Sequence, residues 1–211
     1  MAQINVILWD VDGTLLDFSA AERRALEDCF RSFQMGPCTP ELLARYSQIN
    51  RTYWRRLERG ELTREQVLLE RFVCLFREEH IPADPAACQA AYEDFLCVGH
   101  YFIEGAEDLL AYLAPKYRLY LASNGTARVF ISQKLGANKP SPAFFHRCFA
   151  QIPDFDPQKA LMIGDSLTSD IRGAKGAGIA ACWFNPRQEA PVPGISMDYE
   201  IHGLLQLREF L

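Results

Sequence analysis

Four short apolar runs stand out along the chain: Ile4 to Trp9, Tyr117 to Ala122, Ala160 to Ile163 and Ala180 to Phe184. Each is of strand length, nearly continuous in hydrophobic character, and stops at polar or small residues, which is the pattern of a strand buried on both faces. Between and after them the apolar positions fall at helical spacing, as in Ala106 to Leu113, Pro142 to Phe149 and Asp170 to Lys175. Strands alternating with helices predict an α/β fold, a parallel sheet with helices on both faces.

One long stretch breaks the alternation. Residues 17–101 carry helical periodicity (Leu26, Cys29, Phe30, Phe33; Leu68, Leu69, Phe72, Leu75, Phe76) and no convincing strand. Turn signals fall at Met35 to Pro40, Arg59 to Glu61 and Ile81 to Pro85. The segment therefore reads as a helical domain inserted into a core made of residues 1–16 and 102–211.

Composition narrows the function. Of 211 residues, 49% are hydrophobic and 23% charged, which suits a globular chain rather than a disordered or fibrous one. The net charge is −5 and the basic residues are scattered, so no nucleic-acid partner is expected. The cluster Arg51, Arg55, Arg56 and Arg59 reads as a solvated helix face. Seven cysteines without metal or redox spacing read as reduced thiols. No segment reaches the ~18 apolar residues of a membrane span and the N-terminus does not resemble a signal peptide, so a cytoplasmic protein is expected.

In an open parallel sheet, ligands bind beyond the carboxyl ends of the strands. The first run is followed by Asp10 and Asp12, the second by Ser123, Asn124 and Gly125, and the third by Gly164, Asp165 and then Asp170. These residues should converge on one crevice. Two carboxylates ~4 Å apart repel by about 4 kcal/mol at an effective dielectric of ~20, so such a cluster calls for a cation. Oxygen ligands with little His or Cys suit Mg²⁺.

Asp10 could act as a nucleophile toward phosphorus, Asp12 could carry the proton, Gly13 permits a tight turn and Thr14 adds a hydroxyl. The Ser123 hydroxyl and the Asn124 and Gly125 amides could hold phosphate oxygens. Taken alone, Ser-Asn-Gly is also a plain turn. Lys139 lies in GANKPSPAFF, where Ser141 can cap and Pro142 can open a helix, and it could neutralise phosphate charge. Thr168 or Ser169 can cap a helix starting near Asp170, an aspartate that would also suit the helix dipole. Glycines 173, 176 and 178 read as close packing and a helix stop rather than a dinucleotide motif.

With these residues in place the chain resembles the haloacid dehalogenase superfamily of phosphohydrolases. DVDGTL at 10–15, SNG at 123–125, Lys139 with Pro140, and GDSLTSD at 164–170 match its four motifs in order. The resemblance implies a Rossmann-like parallel sheet with an inserted helical cap. It also implies an Mg²⁺-dependent phosphatase in which Asp10 forms an aspartyl phosphate, Asp12 is the general acid and base, and Ser123 and Lys139 bind the phosphoryl group. Asp10, the Asp12 carbonyl and Asp165 would hold the metal, with Asp170 a ligand or a support. Asp12 favours phosphate chemistry, because the family's dehalogenases lack an acid there.

The stretches INRTYWRRLERGELTREQVLLERF and GIAACWFNP further resemble the pyrimidine 5′-nucleotidase branch, which implies a nucleoside monophosphate as the small phosphorylated substrate of a monomer or homodimer. Tyr53 and Trp54 could stack on a base, although aromatics at helical spacing commonly serve a core. A phosphosugar or phosphoglycolate phosphatase, a phosphomutase, and a catalytically idle binding protein are the alternatives. One departure is plain: only fourteen residues separate Asn124 from Lys139. That is roughly twenty fewer than a crossover helix and its strand occupy in the family, and TARVFISQKLGANKP reads as a join at Val129 to Phe130.

Overall fold

The computed structural model describes residues 4–98, 101–124, 130–131 and 135–211. The Val129 to Phe130 junction lies outside the described residues. The chain divides into two compact units, Met1–Asp17 with Phe102–Leu211, and Phe18–Tyr101.

The first unit holds a six-stranded sheet: β1 Val6–Trp9, β2 Arg118–Ser123, β3 Phe130–Ile131, β4 Ala160–Gly164, β5 Ala180–Phe184 and β6 Tyr199–Ile201. Every pairing is parallel and the order is β3-β2-β1-β4-β5-β6. The four long runs expected from the sequence form the centre. The edge strands β3 and β6 have two and three residues, too few to leave a periodic signal.

β1 is central because all four of its side chains can be buried. Its alternation splits them between the two faces of the sheet. Val6 and Leu8 pack with Phe144, Phe145, Ile171 and Ala174, whereas Ile7 and Trp9 pack with Leu109, Leu113, Leu204 and Leu207. From β1 the chain proceeds outward to β2, and β4 returns on β1's other side. The switch point is therefore between β1 and β4, where an open sheet leaves a crevice at its carboxyl edge.

Helix α5, Ala106–Leu113, covers one face, and α6, Pro142–Phe149, the other. Ser141 caps α6 by accepting from the Phe144 N–H at 3.3 Å, with Pro142 in the first turn. After β4 the chain departs from the expected helix at Asp170. A π-helical turn runs over Leu167–Ile171, and α7 covers Arg172–Gly176. Ser166, not Thr168 or Ser169, supplies the cap, accepting from the Ser169 N–H at 3.2 Å. The earlier cap leaves the Asp170 side chain free to turn inward.

The second unit comprises α1 Phe18–Ser32, α2 Pro40–Glu58, α3 Arg64–Glu78 and α4 Pro85–Leu96. Thr39, Thr63 and Asp84 cap the last three, Thr63 in a reciprocal box with Gln66. Leu26, Cys29, Tyr46, Phe72, Leu75 and Tyr92 form its core. A buried polar chain crosses that core. Glu22 accepts from the Ser47 hydroxyl and from Asn50 Nδ2 at 2.7 Å, and Asn50 Oδ1 accepts from Arg71 Nη1 at 2.7 Å. Arg71 lies over the rings of Tyr46, Phe72 and Tyr92. Hydropathy assigns Leu69 to the apolar face, but Leu69 is exposed and Arg71 is inside, because satisfied hydrogen bonds and three aromatic faces make burial of the guanidinium tolerable. Among the described residues no helix is long and apolar enough to cross a membrane.

Gly173 allows α7 to approach α6: a Cβ there would lie 2.5 Å from Phe145 Cε2 and 3.1 Å from Pro140 Cα. Gly173→Ala should therefore destabilise the protein by about 1–3 kcal/mol through overpacking, read as a lowered urea midpoint with an unchanged m-value.

Candidate active site

The site is assembled where β1, β2 and β4 end. Trp9 pairs with Leu121 on one side and Ile163 on the other, so the residues that follow these strands emerge at one level. The Asp10 N–H still donates to the Ile163 carbonyl at 2.9 Å. Its carboxylate thus stands at the last hydrogen-bonded position of the sheet. One carboxylate oxygen each from Asp10, Asp165 and Asp170 lie within 4.8 Å of one another.

A single buried lysine joins two of them. Lys139 is 1% exposed, and its Nζ donates to Asp10 Oδ1 at 2.7 Å and to Asp170 Oδ1 at 2.6 Å. Sequence patterning treats a lone lysine as a surface residue, and only its place in the motif order marked it. Burial works against its charge, but the Asp10 and Asp170 carboxylates outweigh that and hold its pKa above the ordinary lysine value.

The supporting contacts are specific. Thr14 Oγ1 donates to Asp10 Oδ2 at 3.0 Å and accepts from the Asp165 N–H at 3.1 Å, tying the ends of β1 and β4. Asp170 Oδ2 accepts from the Ser166 N–H at 3.0 Å. The Trp183 indole on β5 donates to the Asp165 carbonyl at 2.8 Å. Thr14 was legible only as an extra hydroxyl and Trp183 only as a core aromatic, because such bonds depend on strand order and register. Gly13, at φ +92°, turns the chain under Asp165, whose Oδ2 would lie 2.6 Å from a Cβ at that position.

Of the other expected residues, Ser123 is buried at the end of β2 and Asp12 is exposed beyond β1. Asn124 directs its side chain to the backbone of Lys139, accepting from its N–H at 2.8 Å and donating to its carbonyl at 3.1 Å. Gly125 lies outside the described residues. In the helical unit Tyr53 and Trp54 are half-buried against Leu57, Leu62 and Val67, under the guanidinium groups of Arg56 and Arg64 respectively. They serve a packed cluster there.

Three carboxylates against one ammonium leave two formal negative charges, matching one divalent cation. Burial first, then the Asp10 and Asp170 charges, push the Asp165 carboxyl well above the usual aspartate range. Asp170 is pushed from 3.8 to about 7, mainly by burial, against the opposing pull of Lys139. An all-oxygen donor set with excess negative charge fits Mg²⁺.

The comparisons with known proteins agree with this geometry. Residues 4–178 match the family model of the haloacid dehalogenase-like hydrolases. The chain belongs to that family. As a haloacid dehalogenase-like hydrolase, it is 38% identical over 228 aligned positions to the HAD-hydrolase YfnB of Bacillus subtilis (strain 168), covering 100% of this chain and 97% of that protein. It is 31% identical to the pyrimidine 5′-nucleotidase PynA of Streptococcus pneumoniae (strain ATCC BAA-255 / R6), over 97% of this chain and 94% of PynA. The crystal structure of YfnB bound to magnesium superposes with a TM-score of 0.94, covering 99% of each chain. The alignment with YfnB has 17 more positions than this hydrolase has residues.

Two outcomes test this site. Thr14→Val should destabilise the protein by about 1–3 kcal/mol by leaving the buried Asp10 oxygen and Asp165 N–H without their partner, measured by chemical denaturation. The second concerns pH. The folded state keeps a proton on Asp170 between about pH 4 and 7 that the unfolded state has released, so this group's contribution to stability falls as pH rises through that window. A divalent cation competes with the proton. The stabilisation that Mg²⁺ confers over EDTA should therefore grow with pH across the same window, read from paired denaturation curves.

Proposed function

We propose that this haloacid dehalogenase-like hydrolase is an Mg²⁺-dependent phosphomonoesterase acting through an aspartyl phosphate on Asp10, with a pyrimidine nucleoside 5′-monophosphate as substrate. The observation that carries the reading is the convergence of Asp10, Asp165 and Asp170 on one point, with Lys139 binding two of them. PynA's activity supports the nucleotide assignment, and the magnesium in the YfnB crystal supports the metal.

Asp10, Asp165 and Asp170, with the Asp12 carbonyl, would hold Mg²⁺, and the bound ion would neutralise phosphate charge. The chain's own groups supply the remaining chemistry. Asp10 is oriented by Lys139 and Thr14, each of which binds one of its oxygens, and an ionised carboxylate is the form that attacks. Its attack on phosphorus forms the acyl phosphate and expels the alcohol. Asp12, exposed beside it, gives its proton to the leaving oxygen, then takes one from the water that cleaves the acyl phosphate. Ser123 and the Lys139 ammonium hold the phosphoryl oxygens through both steps.

A phosphate-release screen over nucleoside monophosphates and sugar phosphates tests the reading. Release should depend on Mg²⁺, stop in EDTA and be fastest with UMP, dUMP or dTMP. Equal rates on every ester would remove the nucleotidase assignment, and release unaffected by EDTA would remove the metal. Asp12→Asn should lower kcat by about a hundred- to ten-thousandfold, the usual contribution of a general acid and base.

A further inference from the structure

We infer that Asn124 is the positioning residue that holds Lys139 in the site, clamping its backbone with one side-chain amide. The inference rests on the proposed role of Lys139, and the observation behind it is a pair of bonds. The Asn124 amide accepts from the Lys139 N–H at 2.8 Å and donates to the Lys139 carbonyl at 3.1 Å. Both main-chain groups of one residue are thereby satisfied by one planar amide. A neighbouring strand offers a hydrogen-bonded residue the same pair of contacts, and a carboxamide can offer both because it has a donor and an acceptor on one carbon.

The clamp is needed because of what surrounds it. Lys139 follows Gly136, Ala137 and Asn138, and its place before Pro140 denies it a helical conformation. Its neighbours in sequence are not strand residues: α6 begins only at Pro142, and β3 ends at Ile131. Only fourteen residues lie between Asn124 and Lys139. Yet the ammonium must reach two carboxylates at 2.7 and 2.6 Å from the end of a four-carbon stem. Asn124, directly after β2 and next to Ser123, fixes the stem's origin to the sheet itself. Ser123 and Lys139 are thus held in register through a single residue.

Three variants, Asn124→Ala, Lys139→Ala and the double, decide this on an aryl phosphate with Mg²⁺. Asn124→Ala should lower kcat by about tenfold to a hundredfold, the cost of misplacing a catalytic group by about 1 Å, with a smaller change in KM. In the Lys139→Ala background it should cost almost nothing more, because both changes remove one effect. Multiplicative losses would overturn the inference and make Asn124 a direct contributor.

A second readout does not depend on turnover. In the wild type Lys139 should resist acetylation by an N-hydroxysuccinimide ester while the exposed Lys116 and Lys159 react, as peptide mass spectrometry reports. In Asn124→Ala, Lys139 should become reactive under conditions where circular dichroism shows the variant still folded. Continued protection of Lys139 would overturn the clamp even if the phosphatase reading stands, whereas absent turnover by the wild type would refute that reading and leave the labelling result decisive. Should Asn124→Ala fail to fold, Asn124→Asp keeps the acceptor for the Lys139 N–H and should show intermediate labelling, and full protection there with wild-type kcat would equally count against the clamp's donor half.

Discussion

The Lys139 ammonium between Asp10 and Asp170 is the contact on which the rest of the site depends. Three carboxylates cannot remain ionised together in a crevice of low dielectric without positive charge among them. One lysine satisfies part of that demand and leaves the remainder for a divalent ion. The arrangement explains how Asp10 can be buried at the end of β1. Its two oxygens are bound by Lys139 and Thr14, so both keep a hydrogen-bond donor after burial.

The sheet makes this possible at little cost in packing. β1 and β4 are apolar along their full length and run in register, so their polar continuations emerge side by side at the switch point. Thr14, Trp183 and the π-helical turn at Leu167–Ile171 then fix the orientation of Asp165 and Asp170. The wide turn has a specific consequence. It places the Ser166 N–H where it can donate to the second Asp170 oxygen, which leaves the first for Lys139.

Much of this could be read in the sequence. Asp10, Ser123 and Asp165 were legible because each follows a run too hydrophobic to be anything but a buried strand. Lys139 and Asp170 were legible only through the order of the motifs, since their burial comes from neighbours distant in the chain. The bonds of the Asn124 side chain were not legible, because nothing local to Ser-Asn-Gly indicates a partner in the main chain fifteen positions on. In the helical unit, the boundaries followed from capping residues and prolines, whereas Arg71 was hidden, because hydropathy does not foresee a guanidinium enclosed by Tyr46, Phe72 and Tyr92. The two edge strands escaped notice for a simpler reason, their length.

The central claim is that Asp10 is phosphorylated during turnover. It is tested most directly by mixing the Mg²⁺-loaded protein with substrate, quenching in acid, reducing the acyl phosphate with borohydride and mapping peptides by mass spectrometry. The account predicts that the residue at position 10, and no other aspartate, appears as the reduced alcohol, homoserine, only when substrate and Mg²⁺ are both present. Sustained phosphate release with Asp10 unmodified under every quench time would contradict it.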